Sequence, residues 1–449
     1  MLFSFLKYLA PTWYFNISSE RSRQLPYFVD YRTLTEEERS LLDICGVYST
    51  QEAVTADAAY QAFHKGLIKK TFIGMTMTAC IDNVADNYIF IRRYFSKLYS
   101  LYVLGIRMLS FHNPVKECSG YIKARKTKRV LVFNNNYQKQ FSEVYENFNS
   151  LLLQQQPMVS VIIPTLNRYS YLRDVLRDLE DQDYKHFEVI VCDQSEPVDR
   201  AFYSGWKLNL RLICQEEKAL WLARNRSIRE SKGEYIALSE DDVRVKSNWI
   251  SEHLKCIDFY QADISAGVFF PIGTTIPLNK SFPKYAEQFA SGNAMFRKSI
   301  MQVTGMFDRQ FEKQRGGDGE YGLRAYLSGL LSVSNSYAYC EDVKAPSGGL
   351  RQMGSWDSFR PQKLFAPRPV PSVLYCARKY FGRHLARLML MQQVPLSLLP
   401  YRLKDKRFFT FCSIFVSVVF FPIPLIQVCR SWRLATIKLK QGTIIEHFE

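Results

Sequence analysis

The stretch VSVIIPTLNRYSYLRDVLRDLEDQDYKHFEVIVC, residues 159–192, predicts a strand, a helix and a second strand in succession. Val159 to Ile163 is a short β-branched run, and Phe187 to Cys192 is a second apolar run. Between them, apolar residues recur at the spacing of one helix face, at Leu172, Val175, Leu176 and Leu179. A crossover of this length implies parallel strands and a right-handed connection.

The same alternation continues towards the C-terminus. Leu210 to Cys214 and Tyr235 to Leu238 read as further strands, and Ala219 to Ser231 between them reads as a helix. Strands that alternate with helices build a sheet covered by helices on both faces. The sequence therefore predicts an open α/β sheet of nucleotide-binding type.

Composition bounds the class of protein. The chain has 449 residues, of which 47% are hydrophobic and 23% charged, so it is globular with two or three domains rather than disordered. Its ten cysteines lie far apart without a C-x-x-C pair. This spacing argues against a zinc module and a disulfide framework, and a reducing cytosol is the simplest setting.

Changes in composition and in apolar periodicity along the sequence divide the chain into three predicted domains. Residues 1–156 form a mainly helical module, which opens with an apolar segment that we expect to be amphipathic or buried. Thr35 and Glu38 have the spacing of a capping box, and residues 51–111 contain no proline. Residues 157–352 form the α/β domain, and residues 353–449 form a basic helical region.

The basic C-terminal region carries most of the net charge of +16. Between Arg351 and Glu449 there are 16 Lys or Arg and 4 Asp or Glu. Residues 408–428 carry no charge, but Pro422 and Pro424 interrupt them and basic residues flank both sides. This pattern favours association with a membrane surface, although a true span and a buried soluble helix stay open as alternatives. Nucleic-acid binding is disfavoured, because glycine–arginine repeats and a basic helix with exposed aromatics are both missing.

Polar residues follow each predicted strand, where open α/β sheets bind ligands. The exits are Pro164 to Arg168, Asp193 to Ser195, and Glu240 to Asp242. Three adjacent carboxylates repel one another, and Mg2+ or Mn2+ would relieve that repulsion and neutralise a diphosphate; solvated loop acids are the alternative.

Basic and acidic groups on two predicted helices extend this candidate site. Lys218, Arg224 and Asn225 lie at a predicted helix beginning, where phosphate can bind; a surface salt bridge is the alternative for Arg224. Asp318, in a glycine-rich turn, could accept a proton from a hydroxyl, or simply cap a helix.

Seven ordered blocks together resemble the family 2 glycosyltransferases of GT-A fold, over about residues 158–351. They are SVIIPTLNR, VIVCDQSE, ARNRSI, EYIALSEDDVRVKSNWI, GNAMFRKSI, GMFDRQF and GGDGEYGLR. The resemblance implies the GT-A nucleotide-diphospho-sugar transferase fold, a Rossmann-like mixed sheet with flanking helices. It also implies a nucleoside diphosphate sugar as donor and Mg2+ or Mn2+ as cofactor.

Carried over position by position, the resemblance assigns roles to individual residues. For the nucleotide sugar it implies Pro164, Thr165, Asn167, Arg168, Asp193, Glu240 and Asp241, besides Lys218, Arg224 and Asn225. Asp242 would hold the metal. Asp318 would be the general base, and Glu320 and Arg324 would shape the acceptor side. Asn293 would face the donor sugar or the acceptor.

The chain departs from the family pattern at several positions. Glu240 replaces the first Asp of the Asp-x-Asp motif, Ala219 replaces a common Gly, and Gly317 stands where Glu usually precedes Asp318. Relatives often carry a His near residues 340–342, and Asp342 could replace it as a second metal ligand.

The resemblance and the charge together predict a metal-dependent, inverting glycosyltransferase of hexosyl- or rhamnosyltransferase type. Its acceptor would be a glycan or lipid-linked glycan in surface polysaccharide or lipopolysaccharide biosynthesis. We expect a cytoplasmic protein, peripheral at the inner face of the membrane through its C-terminal region, without a nucleic-acid partner. The alternatives are a polyprenyl-phosphate sugar synthase and a non-catalytic scaffold that binds sugar nucleotides or polysaccharide.

Overall fold

The computed structural model describes residues 2–17, 27–44, 46–68, 80–132, 143–346, 348–349, 357–361, 363–398 and 421–448. The chain forms two compact units. The first contains residues 1–147 and 384–392, and the second contains residues 148–383 and 393–449. The predicted boundaries at 156/157 and 352/353 stay predictions, and the second unit takes in residues on both sides of the latter.

The first unit is helical, as predicted. Its α-helices are α1 (Leu6–Leu9), α2 (Glu36–Ser40), α3 (Gln51–His64), α4 (Val84–Tyr94), α5 (Lys97–Leu109) and α6 (Pro114–Lys123). Short 3-10 turns occur at Tyr14–Asn16, Tyr31–Thr33 and Ala124–Lys126. The predicted capping box is present, because Thr35 and Glu38 bond each other's backbone N–H at the start of α2.

Aromatic side chains from the N-terminal segment and α4 form the core of this unit. Phe3 stacks on Phe90 with ring centroids 4.1 Å apart, and Phe5 meets Tyr88 edge to face at 5.2 Å. Such pairs add to the stabilisation that burial alone provides. The apolar N-terminal segment is therefore buried, which is one of the two outcomes expected for it.

A buried ion pair joins α5 and α6 beside this core. Arg107 Nη2 lies 2.6 Å from Glu117 Oε1, and the hydroxyl of Tyr88 donates to Glu117 Oε2 at 2.8 Å. The guanidinium group of Arg107 also lies 4.1 Å from the ring centroid of Phe5. Both charges are buried, so each depends on the other.

Within its described residues, the second unit is built on one mixed sheet of nine strands. They are β1 (Val159–Thr165), β2 (Phe187–Asp193), β3 (Leu210–Cys214), β4 (Tyr235–Ser239), β5 (Val243–Val245), β6 (Ile264–Pro271), β7 (Lys284–Tyr285), β8 (Asn293–Arg297) and β9 (Ser332–Asp342). The order is β3-β2-β1-β4-β8-β6-β9-β5, with β7 paired to β9. Strands β3, β2, β1 and β4 are parallel neighbours, whereas β8 runs antiparallel to both β4 and β6.

Helices cover this sheet and extend beyond it. They are α7 (Leu151–Gln155), α8 (Tyr169–Glu180), α9 (Leu220–Glu230), α10 (Trp249–Tyr260), α11 (Ile300–Thr304), α12 (Gly317–Leu327), α13 (Pro371–Tyr380), α14 (Gly382–Leu396) and α15 (Pro422–Gln441). Short 3-10 turns occur at Ala201–Tyr203, Leu278–Lys280 and Arg309–Phe311. Part of α14, residues 384–392, belongs to the first unit.

The predicted α/β sheet is confirmed. Its four predicted strands are present with ends shifted by at most two residues, and the predicted helix at 219–231 is α9. The buried residues of α8 are the four whose spacing predicted that helix, Leu172, Val175, Leu176 and Leu179.

The C-terminal segment 442–448 lies along the loop that follows α11. The N–H of Met306 donates to Glu446 O at 2.9 Å, and that of Arg309 donates to Ile444 O at 3.1 Å. The N–H of Ile444 in turn donates to Asp308 Oδ1 at 3.0 Å. This segment, called the tail strap below, is therefore part of the wall of the second unit.

The predicted membrane-associating stretch 408–428 falls largely outside the described residues, because the description resumes at residue 421. Helix α15 packs against α13 through Arg378, whose guanidinium group lies 4.2 Å from the ring centroid of Trp432. Among the described helices, none combines the length and apolar character needed to cross a bilayer.

The buried pair in the first unit gives a stability prediction. Glu117→Ala would leave the guanidinium group of Arg107 buried without its carboxylate partner, and we expect a loss of about 3–5 kcal/mol of unfolding free energy. Urea denaturation measures this loss. The neighbouring exposed residue supplies the control, since Lys116→Ala should change the same quantity by less than about 0.5 kcal/mol. Equal effects of the two changes would contradict the role assigned to the pair.

Candidate active site

A cavity of about 210 Å3 opens at the carboxyl ends of β1 and β4 in the second unit. Nine of the residues predicted from the sequence line it: Pro164, Thr165, Arg168, Lys218, Arg224, Glu240, Asp241, Asp242 and Asp318. They come from four separate parts of the chain. The cavity is therefore the place where the predicted donor, metal and base residues meet.

Arg168 lies between two buried carboxylates at the base of this cavity. Its Nη1 atom is 3.0 Å from Asp241 Oδ1 and 3.0 Å from Asp242 Oδ2. The hydroxyl of Thr165 donates to Asp241 Oδ2 at 2.7 Å, and the N–H of Ala345 donates to Asp242 Oδ2 at 3.2 Å. Burial raises the pKa of Asp241 to about 6, against the opposing attraction of Arg168.

Arg224 forms a second cationic wall from helix α9. Its Nη1 donates to Ser291 Oγ at 3.0 Å, and its Nη2 lies 3.9 Å from Glu240 Oε1. The guanidinium group also lies 5.2 Å from the ring centroid of Trp221. These contacts hold a buried positive charge beside the cavity, where it can face an anionic ligand. Lys218, which also lines the cavity, is more exposed and pairs with Glu196 at 3.5 Å.

Asp318 enters the cavity from the first turn of α12. One carboxylate oxygen accepts the N–H of Gly319 at 2.8 Å, so the side chain is oriented locally. Helix α13 supports the turn that precedes Asp318, because Ser372 donates through its N–H to Gln314 Oε1 and through its hydroxyl to Arg315 O. The candidate base is thus held on two packed helices.

Glu320 and Arg324 are a buried structural pair rather than part of the cavity lining. Arg324 Nη2 lies 2.9 Å from Glu320 Oε2, and Lys379 and Tyr380 of α13 contact the other oxygen of Glu320. Burial opposes the charged form of Glu320, but Arg324 and Lys379 outweigh it and hold its pKa below the ordinary value. Glu320 therefore joins α12 to α13, whereas Arg324 donates to backbone carbonyls of the segment Thr304–Met306. The assignment of the pair to the acceptor side stays a prediction.

Asn293, predicted to face the donor sugar or acceptor, is fully buried within the sheet. Its Oδ1 accepts from Trp249 Nε1 at 2.8 Å and meets His253 Nε2 at 3.0 Å, while its Nδ2 donates to two backbone carbonyls, those of Val268 and Ala338. Burial lowers the pKa of His253 to about 4. Because the amide oxygen of Asn293 can only accept, this contact needs the proton on Nε2. Every hydrogen-bonding position of the Asn293 amide is used, and the side chain is a structural hub.

Three other predicted residues also lie outside the cavity lining. Asn225 exchanges two hydrogen bonds with the backbone of Phe307, at 2.9 and 3.0 Å. Asp342 accepts the N–H of Lys344 at 3.0 Å on β9. Asn167 has a φ of 53° and donates its N–H to Ser195 Oγ at 2.7 Å. The structure gives each of them a local role in shaping the chain.

Asp193, predicted at the base or ribose, is buried at the exit of β2. Its carboxylate accepts the hydroxyls of Tyr169 and Tyr203, both at 2.8 Å, and the N–H of Ser195, also at 2.8 Å. These bonds fix the loop beside the exit of β1. Asp193 therefore lies near the predicted nucleotide side without lining the cavity.

The second unit contains a segment that matches a known protein family. The sequence model of the family "Glycosyl transferase family 2" matches residues 160–312, about a third of the chain. The chain carries a glycosyltransferase family 2 domain. Its mixed sheet with flanking helices is the GT-A fold that the resemblance implied.

Individual relatives of the glycosyltransferase domain are distant. "Glycosyltransferase GlyA" of Streptococcus pneumoniae is 30% identical over 25% of this chain and 17% of its own length. "Chondroitin synthase" of Escherichia coli is 25% identical over 41% of this chain and 34% of its own length. The chain thus spans well under two thirds of these curated relatives.

A solved structure of S. aureus TarS, residues 1–349 in complex with UDP-GlcNAc, also resembles the chain. It is 16% identical, with a TM-score of 0.41, over 62% of this chain and 91% of that one.

One departure of the glycosyltransferase domain from the family pattern has a steric cause. A Cβ atom at Gly317 would lie 2.4 Å from Cζ2 of Trp221 and 3.0 Å from Cβ of Phe311. Trp221 thus occupies the space that the usual Glu side chain would need. The indole also lines the cavity, next to Asp318.

The cavity lining of the glycosyltransferase domain contains residues that the sequence did not single out. Among them are Trp221, Ser291, Lys313, Gln314 and Gly349. For Gly349, the signal in the sequence is the Gly348-Gly349 pair. In the structure both glycines have a positive φ, and a Cβ at Gly349 would lie 2.4 Å from Cζ of Arg168. The bulky indole next to the ARNRSI block was the signal for Trp221.

The residues present fit a divalent cation that arrives with its substrate. Within the described part of the chain, no three His, Cys, Asp or Glu side chains are grouped to hold a metal by themselves. Asp241 and Asp242, however, place two carboxylates with one guanidinium group at the cavity. One or two carboxylates completed by substrate phosphates are a usual set for Mg2+.

The contact between Trp221 and Gly317 gives a coupled stability prediction. Gly317→Ala should cost about 1–3 kcal/mol of unfolding free energy, because the added methyl group overpacks against the indole. In a Trp221→Leu background the same change should cost less, since the ring is gone, and the coupling should reach about 0.5 kcal/mol or more. Urea denaturation of the four proteins in this double-mutant cycle measures it. Strict additivity would contradict the assigned clash.

Proposed function

We propose that the chain is an inverting glycosyltransferase that moves a sugar from a nucleoside diphosphate sugar to a hydroxyl group of a glycan or lipid-linked glycan. One observation carries the proposal. The same 210 Å3 cavity is lined by Asp318, by the Asp241–Asp242 pair and by Arg168, Arg224 and Lys218. A carboxylate that can accept a proton therefore lines the same cavity as three cationic side chains that can stabilise a diphosphate.

The donor side of the proposed reaction uses the exits of β1 and β4. Thr165 and Arg168 hold Asp241 in place, and we assign Asp241 and Glu240 to the nucleotide sugar. Asn167 and Asp193 fix the loops beside the cavity by hydrogen bonds. We assign both residues to the binding of the nucleoside, which these loops would contact. Arg224 and Lys218 face the leaving diphosphate.

Asp242 is the proposed main ligand of Mg2+ or Mn2+, with Asp342 as the second candidate. The cation, when bound, neutralises charge on the diphosphate. Backbone N–H groups help to position Asp242, since Ala345 donates to its carboxylate and Val343 donates to its carbonyl oxygen at 3.1 Å.

Asp318 is the proposed general base. It would take the proton of the acceptor hydroxyl while the acceptor oxygen bonds to the anomeric carbon and the bond from that carbon to the diphosphate breaks. Attack from the side opposite the leaving group inverts the anomeric centre. The position of Asp318 at the cavity, apart from the Asp241–Asp242 pair along the chain, supports this division of labour.

The acceptor and the pathway are proposed from the relatives. One relative is named for the synthesis of a polysaccharide, chondroitin, which supports a glycan acceptor in surface polysaccharide or lipopolysaccharide biosynthesis. Whether the transferred sugar is a hexose or rhamnose follows from the donor that binds. We also propose a location at the inner face of a membrane, where lipid-linked acceptors are found.

Asp318→Asn tests the base. We expect the variant to keep thermal stabilisation by the productive donor, while turnover falls by about 10²–10⁴-fold because the amide cannot accept the proton. A panel of UDP-, GDP- and dTDP-sugars with Mn2+ or Mg2+ supplies the donor, and release of nucleoside diphosphate measures turnover. Asp174→Asn, on the exposed side of α8, is the matched control. Turnover of Asp318→Asn near that of the control would remove Asp318 as the base.

Asp242→Ala tests the metal side. The variant should lose the extra thermal stabilisation that Mn2+ adds to the donor, because the proposed carboxylate ligand is absent. Asp342→Ala, measured in parallel, separates the two candidate ligands. A Mn2+ effect that survives both changes would reject the metal assignment. Donor binding without turnover in the wild-type protein would favour the scaffold, and transfer to a polyprenyl phosphate would favour the synthase.

A further inference from the structure

Helices α5 and α6 of the first unit present an outer surface that the aromatic core does not cover. We define the basic face as the exposed residues of this surface between 97 and 131. It lies outside the matched residues 160–312 and on the unit without the cavity. Two properties distinguish it, which are exposed apolar side chains and charges of a single sign.

Phe111 is the most unusual residue of the basic face. Its side chain is 98% exposed, and its backbone has a φ of 58°. The N–H of His112 donates to Arg107 O and the N–H of Phe111 donates to Met108 O, both at 3.1 Å. This is the Schellman pattern that ends helices, and its left-handed position is normally glycine. The chain thus carries a strained backbone at a residue whose ring contacts solvent, and such strain points to a function.

Other apolar side chains of the basic face share this exposure. Val115, Cys118 and Ile122 recur on one face of α6 and line an open groove with Ser119 and Lys123. Leu109 at the end of α5 and Leu131 beyond α6 are also exposed. Large apolar side chains exposed together mark a surface that binds something.

The charges of the basic face are all positive. Glu117 is the one acidic residue between Asn87 and Val132, and it is buried against Arg107. Six exposed bases follow on α6 and after it: Lys116, Lys123, Arg125, Lys126, Lys128 and Arg129. The ion pair inside the unit buries the only acidic side chain of residues 97–131, so the exposed charges of this range are all positive.

This combination selects one occupant. A second copy of the same face would bring like charges together, which opposes self-association. A bilayer that contains anionic lipids offers negative charge for the bases and an apolar layer for Phe111 and its neighbours. Long basic side chains can keep their charges among the headgroups while their stems cover apolar surface.

We propose that the basic face binds the surface of an anionic lipid bilayer, with Phe111 inserted at the level of the headgroups. The proposal deepens the membrane location proposed above and moves the contact from the C-terminal region to the first unit. It does not depend on catalysis, so each can fail without the other.

Flotation of the full-length chain with vesicles tests the proposal. The chain should float with phosphatidylcholine vesicles that contain about 30% phosphatidylglycerol, and stay below with phosphatidylcholine alone. Raising the salt from about 0.1 M to 0.5 M should weaken binding several-fold because surface charges are screened. Equal binding to both kinds of vesicle, or to neither, would overturn the proposal.

Phe111→Gly separates function from structure. Glycine suits the left-handed position, so the melting temperature should stay equal or rise. Binding to anionic vesicles should fall about tenfold or more, because a large apolar side chain is lost. A lower melting temperature with unchanged vesicle binding would assign Phe111 to folding and reject its insertion.

Two further variants complete the experiment. Lys126→Gln with Lys128→Gln should weaken vesicle binding by about 25-fold, since each base contributes roughly fivefold. Leu425→Ser with Ile426→Ser, exposed apolar positions on α15, is the matched control and should bind as the wild type does. Loss of binding only in the control would return the contact to the C-terminal region.

Hydrolysis of the soluble donor is measured for every variant. Unchanged hydrolysis with lost flotation supports the membrane face alone, whereas flotation without hydrolysis in any protein leaves the face intact and removes the proposed reaction. Preferential binding of the full-length chain to an RNA or DNA duplex over anionic vesicles would reject the lipid surface as the occupant.

Discussion

The second unit depends on the ion pairs that the guanidinium group of Arg168 makes with Asp241 and Asp242. This group bridges two adjacent carboxylates that are both buried and would otherwise repel each other. The same residue lies directly after β1, and the carboxylates lie directly after β4, so the bridge joins two neighbouring strand exits. Gly348 and Gly349 lie against the Arg168 side chain, and the N–H of Gly349 donates to Leu166 O at 2.8 Å. These ion pairs therefore hold together the carboxyl ends of β1 and β4, the two carboxylates and the adjacent Gly348-Gly349 pair.

The sheet could be predicted because its signals are local. Val159 to Ile163 and the four apolar residues of α8 carry period and residue type within one element, and burial followed them closely. Asp318 could be carried over because the glycine-rich block keeps the Asp at its place, although Gly317 departs from the family pattern beside it. Contacts between distant parts of the chain gave no such signal. Trp221 and Gly317 explain each other only when the structure brings them together, and the four hydrogen bonds of Asn293 come from helix α10 and strands far away in sequence.

Charge is the clearest case of what a linear count misses. Counting along the sequence directs attention to the C-terminal region, where bases outnumber acids by 16 to 4. In the first unit, the uniform sign of the surface becomes visible only when Glu117 is known to be buried against Arg107. Likewise the sequence does not reveal that Glu320 and Arg324 pair with each other inside the protein, or that each also contacts a further segment of the chain.

The tail strap has a consequence for how the second unit can be divided. Residues 442–448 supply backbone partners to the loop that contains Phe307, and Phe307 packs on Trp221 with ring centroids 5.2 Å apart. Helix α13 does similar work beneath Asp318. A chain shortened to the part that resembles other transferases would lose both supports and leave hydrogen-bonding groups and apolar surface newly exposed to water. The stretch of chain that must stay together to keep these contacts is thus larger than the matched residues 160–312.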